Sequence, residues 1–205
     1  MTDARRRVAA FDFDGTLTRK DSLGPFLELV CGRGVLYRAM LMRAGVLAGV
    51  AVGIGDRDTE KERLVGRLLA GRSATSVRDS GSQYARSLIE GEALRPEMLE
   101  RVAWHRAEGH EIVIVSASLD VYLDPLAPLL GVDHVLCTQL GIGADGRLDG
   151  RLEGGNVRGP EKVRRVRDWL AGDAAELWAY GDSAGDRELL ADADHPHKVG
   201  RHARR

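Results

Sequence analysis

A short apolar run, Val8 to Phe13, carries two carboxylates two residues apart at its end, Asp12 and Asp14, followed directly by Gly15 and Thr16. The run reads as a strand buried on both faces of a parallel sheet. Residues i and i+2 of an extended segment point the same way, so both acids are expected to face one crevice at the carboxyl end of that strand. They repel each other there unless a cation lies between them, and a hard ion such as Mg2+ suits such oxygens. Gly15 permits a sharp turn that aims backbone N–H groups at an anion. Acids beside glycine also build ordinary turns, so the remainder of the chain has to decide.

The remainder alternates. From about Asp21 to Glu90 apolar residues recur at helical spacing, punctuated at Gly32, Gly34, Gly53 to Asp56, Gly71 to Ser73 and Gly91. Pro96 opens a further helix that Gly109 stops. Glu111 to Val115 is a β-branched run ending in Ser116-Ala117-Ser118. A helix over Val121 to Leu130 leads to a short strand at His134 to Cys137, and Ala144-Asp145-Gly146-Arg147 signals a hairpin between Leu140 and Leu152. Glu161 to Leu170 reads as helix and Leu177 to Tyr180 as strand, broken by Gly181-Asp182-Ser183 before a helix from Asp186 to Ala191. A last strand is expected around Lys198 and Val199.

Strands separated by helices predict an α/β fold, a doubly wound parallel sheet with right-handed crossovers. Ligands bind such sheets beyond the carboxyl ends of the strands. Three predicted strand ends carry polar clusters: Asp12 with Asp14, Ser116 with Ser118, and Asp182 with Asp186. The fold would bring all three to one edge. Residues 1–18 and 93–205 then form the core, and 19–92 form a helical cap inserted over that edge.

Bulk properties narrow the function. A chain of 205 residues with a formal charge of -1 makes no general call on nucleic acid. Cys31 and Cys137 lie far apart without C-x-x-C spacing, which fits a reducing cytoplasm and argues against a disulfide framework. Four or five apolar residues between Arg7 and Asp12 cannot serve as a signal-peptide core. The uncharged stretch Ala44 to Gly55 has 12 residues, whereas a membrane span needs about 20. It reads as a packed helix, with shallow insertion into a lipid surface as the alternative, and the arginines at both ends read as solvated termini or as contacts to an anionic membrane.

A carboxylate held beside a metal can attack phosphorus, which makes Asp12 a candidate nucleophile. Asp14 is placed to protonate a leaving oxygen and later to deprotonate water. Ser116 can supply a hydroxyl to the transferring group and Lys162 a compact positive charge. Only four of the 30 basic residues are lysine, so a lysine near the third edge loop is informative. The pair His195 and His197 beside Pro196 reads as a strand edge.

Asp12-Phe13-Asp14-Gly15-Thr16, Ser116, Lys162 and Gly181-Asp182-Ser183-x-x-Asp186 together resemble the four ordered motifs of the haloacid dehalogenase superfamily. The helical insertion after the first motif looks like the bundle cap of its phosphoserine phosphatase-like branch. By this resemblance the chain is expected to be a Mg2+-dependent phosphomonoester hydrolase working through an aspartyl-phosphate. Asp12 would be the nucleophile, Asp14 the general acid and base, and Ser116 and Lys162 the phosphoryl binders. Asp12, the Asp14 carbonyl and Asp182 would hold the metal, and Asp186 would orient Lys162. Substrate contacts are expected from Gly15, Thr16, Ala117, Asp21, Arg57 and Arg63. The arginine that holds the phosphoserine carboxylate in that branch aligns with Val65 here, with Arg57, Lys61, Arg63 and Arg67 nearby. The expected substrate is a small metabolite such as phosphoserine or histidinol phosphate. A membrane-facing phosphatidylglycerophosphate-type lipid phosphatase, transfer to an acceptor other than water, and a non-catalytic phospholigand sensor are the alternatives.

Overall fold

The computed structural model describes residues 5–42 and 57–200. Six strands form one sheet: β1 (Arg6–Phe11), β2 (Glu111–Leu119), β3 (His134–Ile142), β4 (Leu148–Glu153), β5 (Ala175–Gly181) and β6 (His195–Lys198), in the order β4-β3-β2-β1-β5-β6. All neighbours run parallel except β3 and β4. That antiparallel pair is the predicted hairpin, closed by Gly143 N donating to Arg147 O. The chain thus has the predicted α/β architecture.

The central strands are apolar on both sides because helices cover both faces. Ala9, Phe11, Ile112 and Ile114 enter one buried cluster, whereas Val8, Ala10, Val113 and Val115 enter the other. On the first face lie α1 (Leu23–Cys31), α2 (Arg33–Leu41), α3 (Arg57–Leu69), α4 (Ala74–Glu90), α5 (Pro96–Ala107) and α6 (Asp120–Leu130). On the second lie α7 (Pro160–Leu170) and α8 (Arg187–Asp192).

The chain leaves the sheet at Thr18 and returns at Leu94, where the two residues form an antiparallel bridge flanked by Arg19 N to Ala93 O and Arg95 N to Leu17 O. Between these points α1 to α4 make a helical layer. α4 packs on α6, with Gly81 so close to Val121 that a Cβ would lie 1.9 Å from its carbonyl oxygen. α3 packs on β4 in the same way, Gly66 against Gly150.

Several boundaries differ from expectation for local reasons. β1 stops at Phe11, and Phe13–Leu17 wind into one tight turn. β2 runs on through Ser116 and Ser118 instead of stopping before them. β3 continues beyond Cys137 because β4 gives its polar residues a partner, and β6 begins at His195, with both histidines on the edge strand. The N-terminal arginines are engaged within the fold: Arg5 with Asp194, Arg6 with Glu111 and Asp173, Arg7 with the Glu108 carbonyl. The Ala44–Gly55 stretch and the arginines after residue 200 lie outside the described residues. Among the described residues no helix is long and apolar enough to cross a membrane.

Candidate active site

Four loops meet at the carboxyl ends of β1, β2 and β5 and the start of α7. Asp12 follows β1 directly, its N–H bonded to Tyr180 O at 2.9 Å, which ties it to β5 just ahead of Gly181-Asp182. Lys162, in the first turn of α7, is 2% exposed and donates to Asp12 Oδ1 and to Asp186 Oδ1, each at 2.6 Å. Asp186 is fixed from behind, its Oδ2 accepting from Ser183 N (2.9 Å) and Ser183 Oγ (2.7 Å). Burial opposes the charge on Lys162, yet Asp12 and Asp186 hold its pKa above the ordinary lysine value. Burial also works against Asp186, but Lys162 and Ser183 hold its carboxyl below the usual range. Asp12 is pushed up by burial in spite of Lys162.

Asp182 completes the cluster. Oxygens of Asp12, Asp182 and Asp186 all lie within 4.8 Å of one another. Three carboxylates face one ammonium, so the set carries two excess negative charges. Hard oxygen donors with that excess fit a small dication such as Mg2+. Gly15 makes the approach sterically feasible. Its φ is +85°, and a Cβ there would stand 2.6 Å from Asp182 Oδ2.

Asp14 points elsewhere. Its Oδ2 accepts from Ser118 Oγ at 2.7 Å and its Oδ1 from Ser22 N at 2.9 Å. Burial, then the charge of Asp21, pushes its pKa up to about 7, where one carboxyl can both give and take a proton near neutrality. Ser22 is itself clamped by Tyr122 OH to its hydroxyl and by Tyr84 OH to its carbonyl, both at 3.0 Å. Ser116 is buried in β2, its Oγ accepting from Ser118 N. Thr16 is fully buried, and its hydroxyl has no hydrogen-bond partner among the described residues.

The structure therefore brings Asp12, Asp14, Gly15, Thr16, Ser116, Ala117, Lys162, Asp182 and Asp186 to one sheet edge. Asp21 is exposed beside them, and its Oδ1 accepts from Leu23 N and Gly24 N to cap α1. Arg63 is not brought in. It pairs with Glu60 at 2.7 Å, its side chain is 61% exposed, and it lines an outer groove with Gly66, Asp149 and Gly150. Arg57 opens α3, and its side chain lies outside the described part. The cation that α3 turns inward is Lys61, which donates to Ala117 O and, at 2.7 Å, to Asn156 Oδ1. Burial lowers its pKa to about 8 against the pull of Asp14, Asp21 and Asp58. Ser22 carries no motif signal, and Asn156 enters the sequence reading only as the start of the Asn156 to Lys162 stretch that is similar to the phosphoserine phosphatase-like branch; the i, i+2 pairing of Ser116 and Ser118 on one strand face is the sequence signal nearest to the contact with Asp14.

The haloacid dehalogenase-like hydrolase family profile matches residues 9–191. Protein CicA of Caulobacter vibrioides is 36% identical over 187 residues, covering 91% of this chain and 83% of CicA. A phosphoserine phosphatase of Archaeoglobus fulgidus is 27% identical, covering 90% of this chain and 50% of that protein. Among solved structures, a Bordetella pertussis protein of unknown function superposes with a TM-score of 0.78 at 30% identity, over 92% of this chain and 87% of that one. A phosphoserine phosphatase trapped as a phospho-aspartyl intermediate analogue gives 0.60 at 17% identity, over 92% and 84%, a likeness of fold. The chain belongs to the haloacid dehalogenase-like hydrolase family, as a phosphoric monoester hydrolase with the fold of the phosphoserine phosphatase-like branch.

Proposed function

We propose that this hydrolase moves the phosphoryl group of a small phosphorylated metabolite, such as phosphoserine or histidinol phosphate, first to Asp12 and then to water. The observation that carries the reading is the buried Lys162 held 2.6 Å from both Asp12 and Asp186, with Asp182 closing the acid set. An Asp12 oxygen attacks phosphorus while the ester P–O bond breaks, and Asp14 hands its proton to the departing oxygen. A water then attacks the acyl phosphate, Asp14 takes its proton, and phosphate leaves with Asp12 restored. Lys162 and Ser116 face the charge that spreads over the equatorial oxygens. Mg2+, held by Asp12, Asp182 and the Asp14 carbonyl, would supply Lewis-acid charge beside those oxygens. In this reading residues 19–92 are the cap that shields the acyl phosphate from bulk water, and no membrane or nucleic acid takes part.

The test is phosphate release, with and without a chelator, from phosphorylated amino acids, histidinol phosphate, sugar phosphates and phosphatidylglycerophosphate. Turnover of a soluble metabolite that stops on chelation supports the proposal. Binding of these ligands with no turnover of any would favour a phospholigand sensor, and phosphate appearing on added alcohols would favour a transferase. One observation favours a second reading, a lipid phosphatase working at a membrane surface. Leu29, Val35, Tyr37, Met40, Leu41 and Met42 are all exposed, Leu41 at 77%. Flotation with phosphatidylglycerol vesicles together with turnover of the lipid substrate alone would select it.

A further inference from the structure

On α3 the positions Lys61, Val65 and Leu68 share one face, and Val65 and Leu68 are 1% and 6% exposed. A lysine therefore occupies a half-buried place where an apolar side chain would pack at lower cost, since an ammonium withdrawn from water needs acceptors to offset lost hydration. It finds them on the core and not on its own helix. One is the carbonyl of Ala117, the residue between Ser116 and Ser118. The other is Asn156 Oδ1 at 2.7 Å, on the loop that leads into Lys162.

Asn156 is wholly committed to the same junction. Its Oδ1 also accepts from Thr138 Oγ1 (2.9 Å) on β3, and its Nδ2 donates to Asp58 Oδ1 (2.8 Å), one helical turn before Lys61. Thr138 Oγ1 in turn accepts from Val157 N at 3.0 Å. Two side chains of α3 are thus bonded to the strand end and the loop that present Ser116, Ser118 and Lys162. Ser118 is the donor that holds Asp14.

We infer that Lys61 is a positioning residue, with Asn156 as its catch: it latches α3 onto the phosphoryl-binding strand end and thereby sets Ser118 and Asp14. The inference rests on Asp14 acting as the acid and base proposed above. An aryl phosphate is gripped through its phosphoryl group by core residues, so loss of the latch should slow the chemistry more than it weakens binding.

For Lys61→Met the expected result with p-nitrophenyl phosphate is a fall in kcat of about 10- to 100-fold with KM changed less than about threefold, the scale set by a small misplacement of a catalytic group. Asn156→Ala should lower kcat in the same direction. The double variant should be slowed by clearly less than the product of the single effects, since both substitutions remove the shared Lys61–Asn156 contact. Lys61→Arg, which keeps charge and donors, should recover part of the loss. Hydrogen exchange should quicken over residues 57–69 in both single variants and stay unchanged in β1. Unchanged kcat, losses that multiply in the double variant, or a loss matched by a lower folded fraction at the assay temperature would overturn the latch. If Lys61→Met does not fold, Lys61→Gln and Asn156→Ala decide by the same readouts. If the wild-type protein hydrolyses no phosphoester, the catalytic reading fails, while hydrogen exchange over α3 still tests the latch.

Discussion

Lys162 Nζ stands 2.6 Å from Asp12 Oδ1 although 150 residues separate them in the chain, and it makes an equal contact to Asp186. The ammonium is the only positive group bonded to either acid among the described contacts, and all three side chains are buried. Lys162→Met would leave two buried carboxylates facing each other. The expected cost is about 3–5 kcal/mol of stability from the uncompensated charge, together with loss of phosphoryl transfer. Urea unfolding and phosphate release check the two effects separately. Lys162→Arg should not restore activity, because a planar fork does not fit the point between two oxygens that a compact ammonium fills.

Asp12→Asn keeps the shape of the side chain and removes the charge that makes it the nucleophile of the proposed mechanism. The expected outcome is a folded protein, with phosphate release from an aryl phosphate reduced by at least about 1,000-fold, the scale seen when a covalent catalyst loses its nucleophile. Circular dichroism and a melting curve would establish the fold. A variant that retains substantial turnover would show that the phosphoryl group does not pass through this residue.

Much of this arrangement is legible in the chain, but not always for the reason the pattern suggests. Spacing placed Asp12 and Asp14 on one face of a continuing strand. In the structure β1 ends at Phe11, and the turn that follows sends Asp12 toward Lys162 and Asp14 toward Ser118. That turn, and not strand alternation, sets where the two acids point. The parallel core strands are legible because strands buried on both faces are apolar throughout, as in Val8 to Phe11 and Ile112 to Val115; their order in the sheet is not. A strand that stops at Cys137 falls short of β3 because Thr138, Gln139 and Gly141 break the apolar run; in the structure Thr138 pairs with Leu119 of β2 and Gln139 with Glu153 of β4. Lys61 was one of four cations near Val65, and periodicity alone could not choose among them. A lysine on a helix usually signals solvent, and only the packed core shows which face is turned inward.

Gly15→Ala tests how tightly the first loop must approach the fourth. The glycine has a φ of +85°, which costs an alanine roughly 1–2 kcal/mol, and a Cβ would stand 2.6 Å from Asp182 Oδ2. Either the Asp182 carboxylate or one of the two loops has to shift. The expected consequence is a kcat lowered by at least about tenfold and a higher Mg2+ concentration for half-maximal rate, because the displaced carboxylate belongs to the acid set. Unchanged metal dependence would show that Asp182 does not hold the ion.

A separate polar cluster under the sheet should govern stability in acid. His105 is fully buried, its Nδ1 2.7 Å from His110 Nδ1 and its Nε2 2.9 Å from Tyr180 OH. Trp178 stacks on His110 from one side and on His195 from the other. Burial first, then the neighbouring His110 and Arg101, lower the His105 pKa to about 4. The unfolded chain takes up this proton near pH 6.5, the folded protein only near 4. The contribution of His105 is therefore complete above pH 6.5 and is lost as the pH falls toward 4, by up to about 3 kcal/mol. His105→Phe keeps a flat ring in the same space but cannot titrate. It should be less stable than wild type at pH 7.5, where two hydrogen bonds are lost, and its stability should fall less steeply between pH 6.5 and 4. Urea unfolding of both proteins across that range checks the difference in slope; parallel curves would mean that the proton goes elsewhere.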